Sequence, residues 1–474
     1  MDTRQFRKDG HDLINFIADY FEQIEYYPVK PGVNPGEIFN RIEAAPPDDP
    51  EDFPDIMVDF EEIIMPGMTH WQSPKFFAYF PANNSLPSIL AELLTSGIGA
   101  QCMSWETSPA ATELEEKMMI WLRDMCGLPE SWHGVIQDTA STATLCSLLT
   151  AREKALDFEA KSKGAPEMDK FTVYASKEAH SSIDKAVRII GIGTHQLRKI
   201  EVDDNYALIP EKLIEKIEND IKNGYKPLAV IGCLGTTGST AVDPLEKIGK
   251  IAKKNNLWYH VDAAYAGSAL LLPEFRKFAV GIEMADSYVF NPHKWLLTNF
   301  DCSAYFVKDK YALINTFSIL PEYLKTKEDD HVNNYRDWGI QLGRRFRALK
   351  LWFVIRSYGV KGLQDMLRKH IELGKYFEEY VKNTNGLELL APRQFNLVCF
   401  RYNPGGVHDE TLNRINKKLL NAINNKGRVF LTHTSLNGRY AIRMVCGSRL
   451  VEKSHIDELK EIIAESIDKI VHIY

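Results

Sequence analysis

Residues 85–360 alternate between helical stretches and short apolar runs that lack polar–apolar alternation, which predicts an α/β fold. Strands of that kind belong to a mostly parallel sheet with helices on both faces. Two further observations agree. Several apolar runs end in residues unusual for a strand end, among them Asp262 and the group Asn291–Lys294. A second, shorter α/β pattern occupies 361–474. The expected arrangement is a large domain over 86–360, a small C-terminal α/β domain over 361–474 and an N-terminal helical segment over 1–85.

In chain order, Phe6, Leu13, Ile14, Ile17, Phe21 and Ile24 recur at three- and four-residue spacing, a helical period over 1–30. Proline, glycine and aspartate dominate 28–54, so loop with short helices is expected there. A helix follows over 54–64, then an aromatic-rich turn with His70, Trp71 and 76–80. This segment is too small and too apolar on one face to stand alone, and is expected to pack on a partner subunit. In the large domain, helices are expected over 85–97, 107–126, 141–161, 181–190, 210–223 and 243–255. Strands are expected over 171–175, 197–200, 228–233, 258–261, 287–290 and 303–307. The C-terminal unit is expected to hold helices near 361–384, 409–426 and 453–471. Its strands are expected near 397–401, 429–433 and 441–445.

Composition narrows the function. Of the 474 residues, 45% are hydrophobic and 26% charged, ordinary values for a globular chain. A net charge of −7 gives no basic footprint, so no nucleic-acid partner is expected. No stretch reaches the roughly 18–20 apolar residues of a membrane helix, and the amino terminus does not read as a secretory signal. The cysteines are seven, scattered and without a CxxC pair. They suit small buried hydrophobes in a reduced, cytoplasmic protein.

In an open α/β sheet, ligands bind beyond the carboxyl ends of the strands. The run 258–261 ends in Asp262, and the run 287–290 in Asn291-Pro292-His293-Lys294-Trp295. An acid and a lysine so placed serve equally as a buried ion pair. Gln137-Asp138-Thr139-Ala140-Ser141 opens a helix, where hydroxyls and N–H groups make either an N-cap or an anion site. Gly235-Thr236-Thr237-Gly238 is a turn that admits close backbone approach, and His180 follows a strand. Together these supply a phosphate cradle, a carboxylate, a ring-stacking candidate and an amine, the parts that pyridoxal phosphate needs.

The stretches HVDAAYAGSA, NPHKWLLTNFDCSA, LPEYLK and LGRRFRALKLW resemble the pyridoxal phosphate (PLP)-dependent aromatic L-amino acid decarboxylases, group II enzymes of the fold-type I transferase-like architecture. The resemblance extends from FRKDGHDLINFIADY and MTHWQSPKFFAYFPA to the C-terminal CGSR. It implies that Lys294 is the Schiff-base lysine, that Asp262 partners the pyridinium nitrogen and that His180 stacks on the cofactor ring. Thr139, Ala140 and Ser141 match the phosphate-binding segment, His293 a further phosphate contact, and Asn291 and Thr237 other cofactor-site positions. Tyr323 matches the tyrosine of a mobile catalytic loop that protonates Cα, and the charged run 325–330 suits such mobility. Trp71, Tyr79, Phe80 and Pro81 match an aromatic substrate pocket, and Met103 stands near it. Gly343 matches a position where glycine goes with indole substrates. The implied activity is decarboxylation of aromatic L-amino acids to amine and CO2, tryptophan or 5-hydroxytryptophan favoured over DOPA, tyrosine and phenylalanine. The implied assembly is a homodimer with shared active sites.

Other readings fit less well. A nicotinamide oxidoreductase lacks its GxGxxG, and a serine hydrolase its GxSxG. A metal site built on His260, Asp262 and His293 lacks a second ligand pair, so no metal is expected. A PLP-binding scaffold protein would not need Lys294, Tyr323 and His180 together. The nearest rival is an aromatic aldehyde synthase on the same fold, in which the loop tyrosine or the stacking histidine is replaced.

Overall fold

The computed structural model of the protein describes residues 1–319 and 331–471. The chain divides into two compact units. One joins Met1–Pro81 with Leu373–Leu390 and Cys399–Tyr474; the other joins Ala82–Glu372 with Ala391–Val398.

The second unit is built on seven strands. These are β1 (His133–Gln137), β2 (Phe171–Ser176), β3 (Leu197–Ile200), β4 (Lys226–Cys233), β5 (Trp258–Asp262), β6 (Ser287–Phe290) and β7 (Ser303–Val307). Their order across the sheet is β1-β7-β6-β5-β4-β2-β3. The pairs among β2 to β6 are parallel, while β7 runs antiparallel to both β1 and β6. The amino end of β7 therefore lies among the carboxyl ends of the others. Every residue of β2, β5, β6 and β7 is buried, which is why these strands read as unbroken apolar runs. One core cluster packs Leu148, Val173, Ile183, Val187 and Ile231 together. A second packs Val135, Ala143, Val289, Tyr305 and Leu313.

The six expected strands of the large domain are present. β1 was not expected; only Val135 and Ile136 in it are large and apolar, and Gly134 interrupts the pattern. That glycine is required: a Cβ there would lie 2.4 Å from Met119 Cε and 2.9 Å from Phe306 Cε1. The helix expected over 141–161 ends at Ala155, because Asp157 and Phe158 take positive φ and turn the chain. The helix expected from 361 begins earlier, as part of Arg347–Asn383, which is broken at Gly359 (φ 65°).

In the first unit the helix Thr3–Gln23 is capped by Asp2, whose carboxylate accepts from Arg4 N and Gln5 N. A four-stranded sheet has the order β10-β11-β9-β8, with β8 (Leu387–Leu389), β9 (Leu397–Tyr402), β10 (Thr432–Leu436) and β11 (Arg439–Val445). Of its strands, β10 starts three residues later than the run 429–433 had suggested. No described helix is long and apolar enough to cross a membrane.

Candidate active site

Asp262 closes β5 and pairs in register with Cys233 of β4 and Val289 of β6. It is 8% exposed, and its Oδ1 accepts from Ala264 N at 3.0 Å. The adjacent strand β6 leads through Asn291 into the single turn Pro292–Trp295, which carries His293 and Lys294. Backbone bonds knit the two strand ends together: Ala263 N donates to Val289 O (2.9 Å) and Asn291 N to Ala264 O (3.0 Å). Asn83 Nδ2 donates to Lys294 O at 3.0 Å.

A buried clamp holds both loops from behind. The Tyr265 and Trp295 rings stack with centroids 4.7 Å apart at 10°. Trp295 Nε1 donates to His370 Nδ1 (2.9 Å), and Asn396 Nδ2 to the Tyr265 hydroxyl (2.6 Å). Sequence reasoning had not assigned these four residues. The aromatic positions inside DAAYAG and NPHKW were the available signal.

The reversed strand supplies the next contacts. Cys302 N donates to His293 Nδ1 at 2.9 Å, and Ser303 Oγ donates to Asn291 Oδ1 at 2.6 Å. The bond at Nδ1 puts the proton of neutral His293 on Nε2. Burial, then the Lys294 charge, push the His293 pKa down to about 3, against Asp301. His293 is thus a neutral donor at physiological pH.

At the head of the helix Ala140–Ala155, Thr139 is the N-cap and its side chain accepts from Thr142 N. The N–H groups of Ala140 and Ser141 have no intrahelical acceptor and carry the positive end of the helix dipole. After β4, Gly235 has φ 91°, and a Cβ there would lie 2.5 Å from Ala266 Cβ. Only glycine lets this loop, with exposed Thr237, approach the loop that follows Asp262. Asp243 closes the loop from within, accepting from Leu208 N and Cys233 N, each at 2.8 Å. His180 accepts from Ser182 N at Nδ1 (3.1 Å). Its ring is solvent-accessible, yet the surrounding chain desolvates it enough to lower its pKa; Asp262 opposes that shift and Lys294 adds to it. His180, Asp262 and Lys294 thus share one electrostatic environment.

The donor set fits pyridoxal phosphate. An amine and a carboxylate stand on adjacent strand ends, a helix amino end and a neutral imidazole donor suit a phosphate, and an accessible imidazole suits a ring face.

The remaining expected site residues are distributed more widely. Met103 O accepts from Arg336 N (2.8 Å). A Cβ at Gly343 would lie 3.3 Å from Gln101 Nε2, and Gly343 and Gln101 line a cavity of about 360 Å³ with Arg344 and Phe346. Trp71, Tyr79, Phe80 and Pro81 belong to the first unit. There Trp71 stacks on Tyr79 (5.7 Å, 17°), and the Arg443 guanidinium lies over Phe80 (5.3 Å). Tyr79 has φ 49°, and its N–H donates to Thr432 Oγ1 at 3.2 Å. Strain of this kind costs about 1–3 kcal/mol and collects at ligand sites. Tyr323 and the run 325–330 lie outside the described residues.

The buried histidines set an acid limit on stability. His293 has its pKa at about 3, and burial holds His260 at about 4 against the charge of Asp262. Unfolded histidine takes a proton near 6.5, so between there and pH 4 the unfolded chain binds more protons and stability falls with pH. His260 alone accounts for roughly 3 kcal/mol. Asp243, raised by burial to about 6, acts in the opposite direction and offsets part of the loss. The melting temperature is expected to be flat above pH 7 and to drop steeply between pH 6 and 4. A flat profile down to pH 4.5 would contradict this.

Comparison with known proteins gives the same assignment. Residues 35–403 match the pyridoxal-dependent decarboxylase conserved domain. The chain is 45% identical to tyrosine decarboxylase 2 of Narcissus pseudonarcissus, covering 97% of this chain and 93% of that one. It is 44% identical to a phenylacetaldehyde synthase of Arabidopsis thaliana, covering 100% and 98%. Among solved structures, Oryza sativa TDC with PLP and tryptamine superposes with a TM-score of 0.96 at 37% identity, over 99% of each chain. With a lysine, a carboxylate and a helix amino end at the carboxyl edge of this sheet, and with matches of this extent, the chain belongs to the pyridoxal-dependent decarboxylase family.

Proposed function

We propose that this protein removes the α-carboxylate of aromatic L-amino acids and releases the arylalkylamine and CO2. The observation that carries the reading is the placement of Asp262 and Lys294 on adjacent strand ends, with the chain's strong likeness to aromatic amino acid decarboxylases behind it. Bound there, pyridoxal phosphate supplies an electron sink for the pair left when the Cα–carboxylate bond breaks. Lys294 tethers the cofactor through its amine and yields it to the substrate amine. Asp262 holds the proton on the ring nitrogen, and His180 covers the ring. The Ala140 and Ser141 N–H groups and His293 Nε2 hold the phosphate, with Asn291 and Thr237 completing the cofactor contacts. Tyr323 returns a proton to Cα.

Trp71, Tyr79 and Phe80 provide aromatic surface for the substrate ring, and Pro81 adds apolar surface beside them. Gly343 and Met103 leave room for an indole, so tryptophan and 5-hydroxytryptophan are favoured. The bound tryptamine of the rice structure supports that preference. The working unit is a homodimer. Leu86, Leu90, Leu94 and Ile98 form an exposed apolar stripe on the helix Leu86–Ile98, and Phe6, Leu13 and Ile14 are exposed on the N-terminal helix. A stripe of that kind suits a second copy of the chain. Seven buried cysteines with no disulfide among them suit the cytoplasm.

The 44% identity to a phenylacetaldehyde synthase supports a second reading, in which the amino acid, O2 and water would give aldehyde, CO2, ammonia and hydrogen peroxide, O2 being the two-electron oxidant. Tyr323 and His180 favour the amine. Purified protein with PLP and an equimolar mixture of tryptophan, 5-hydroxytryptophan, DOPA, tyrosine and phenylalanine tests both. Amines without matching peroxide are expected; aldehyde with equal peroxide would establish the synthase. Tyr323→Phe is expected to divert flux to aldehyde and peroxide. Unchanged amine output from that variant would remove Tyr323 as the proton donor.

A further inference from the structure

His260 stands two residues before Asp262 on β5 and takes no part in the proposed chemistry. By the alternation of a strand it shares a sheet face with Asp262. It is wholly buried, and both ring nitrogens face hydroxyls. Nε2 lies 3.3 Å from Thr144 Oγ1, and Nδ1 lies 2.9 Å from Ser287 Oγ. Ser287 Oγ lies in turn 2.8 Å from Ser147 Oγ. Trp258 Nε1 donates to Ser147 Oγ at 2.9 Å and also reaches Ser287 Oγ at 3.3 Å. Neutral imidazole offers one donor and one acceptor, and hydroxyls take either role, so the network closes on itself.

The owners of these hydroxyls matter. Thr144 and Ser147 lie on the helix Ala140–Ala155, one and two turns on from the residues at its anion-binding end. Ser287 begins β6, the strand that ends in Asn291 and leads to Lys294. One imidazole in β5 therefore bonds to both other elements that carry cofactor groups. The strands are already fixed to each other by backbone pairing, His260 opposite Ser287 and Asp262 opposite Val289. The helix has no backbone pairing to them, and apolar packing on a sheet is non-directional and tolerates small slides; its polar ties are those of Ser147 to Ser287 and Trp258 and, one turn nearer the helix amino end, that of Thr144 to His260. Pyridoxal phosphate carries its phosphate on a short arm of a rigid ring, two ring atoms from the ring nitrogen, so the distance between the two groups has little range. The helix end and Asp262 must then keep one separation.

We propose that His260 is a positioning residue for the cofactor, locking the helix Ala140–Ala155 to β5 and β6 through Thr144 and Ser287 so that the helix end, Asp262 and Lys294 keep the separation that pyridoxal phosphate requires. The assignment rests on the proposed function, because it presumes that cofactor.

Thr144→Val removes the hydroxyl at constant shape, Thr144→Ser restores it, and His260→Asn shortens the bridge. The measurements are the PLP dissociation constant, the pH dependence of the absorbance of lysine-bound cofactor, and melting temperatures with and without PLP. For Thr144→Val and His260→Asn, PLP is expected to bind at least about tenfold more weakly, equivalent to about 1.4 kcal/mol. The absorbance profile shifts along the pH axis, and the gain in melting temperature on adding PLP shrinks. Thr144→Ser behaves as the unaltered protein. Wild-type affinity and absorbance profile in Thr144→Val would overturn the proposal, even if that variant melted lower without PLP. If His260→Asn fails to fold, the two Thr144 variants decide alone. Failure of the unaltered protein to bind PLP would instead overturn the function on which the proposal rests.

Discussion

Lys294→Ala is expected to lose the absorbance of lysine-bound cofactor and to lower decarboxylation at least about 1,000-fold, a barrier increase of at least ~4 kcal/mol. The size follows from the two roles proposed for the amine, tethering the cofactor and yielding it to substrate. The fold is expected to survive. The local structure is held by main-chain bonds that the substitution keeps, Lys294 N to Asn291 O and Asn83 Nδ2 to Lys294 O. The Tyr265–Trp295 stack is likewise unchanged. The variant should still bind PLP reversibly through the helix end, His293 and Asp262. Equilibrium dialysis with spectrophotometry separates the two effects: PLP retained without the lysine-linked absorbance is the expected result. Retained absorbance, or activity within tenfold, would move the tether to another lysine.

The second large effect lies away from the cofactor. Glu115→Ala is expected to destabilise the protein by about 3–5 kcal/mol, because it leaves a buried guanidinium uncompensated. Arg344 Nη2 donates to Glu115 Oε1 at 2.6 Å, with both side chains almost wholly buried. The same carboxylate oxygen accepts from Ile136 N at 2.8 Å, and Arg344 Nη2 also donates to Ile136 O at 2.9 Å. Arg344 N donates to Gln101 Oε1 at 2.7 Å, and the guanidinium covers the Tyr335 ring. One ion pair thus ties the helix Pro109–Cys126, β1 and the segment 335–344 together. For a chain of 474 residues, that loss corresponds to a fall in melting temperature of about 3–5 °C. Replacing both partners with apolar residues, Glu115→Leu with Arg344→Met, should recover much of it. The exposed pair Lys163–Glu159 is the control, and breaking it should shift the melting temperature little. A Glu115→Ala protein that melts like the unaltered one would show that water reaches Arg344.

Legibility of the fold in the sequence followed burial. β2, β5, β6 and β7 are buried on both faces, so their residues had to be apolar without alternation, and they announced themselves. β1 did not, because its contribution is backbone pairing with β7 around a glycine that Met119 and Phe306 leave no room to replace. The reversal of β7 was equally hidden, since direction is a tertiary property. At the site, Asp262 and Lys294 were legible because charged residues at the ends of buried strands are conspicuous. The pairing of Cys302 N with His293 was not, being a main-chain contact that any residue at 302 could make. The Tyr265–Trp295–His370 clamp was half legible: its aromatic residues stood inside recognised motifs, while His370 lay in a helix with nothing local to mark it.

The order of strands also governs when the protein can be assembled during translation. In the seven-stranded sheet β1 is an edge strand whose neighbour is β7, made about 170 residues later; at about 5–20 residues per second, that is about 10–30 s of synthesis. Through that interval the helix Ala140–Ala155 lacks Val289, Tyr305 and Val307, the surface its Ala143 and Cys146 cover in the finished core. The nascent chain must carry that helix without this cover until residues 289–307 have emerged. Chains halted before residue 303 are accordingly the ones that expose this apolar face to chaperones and proteases.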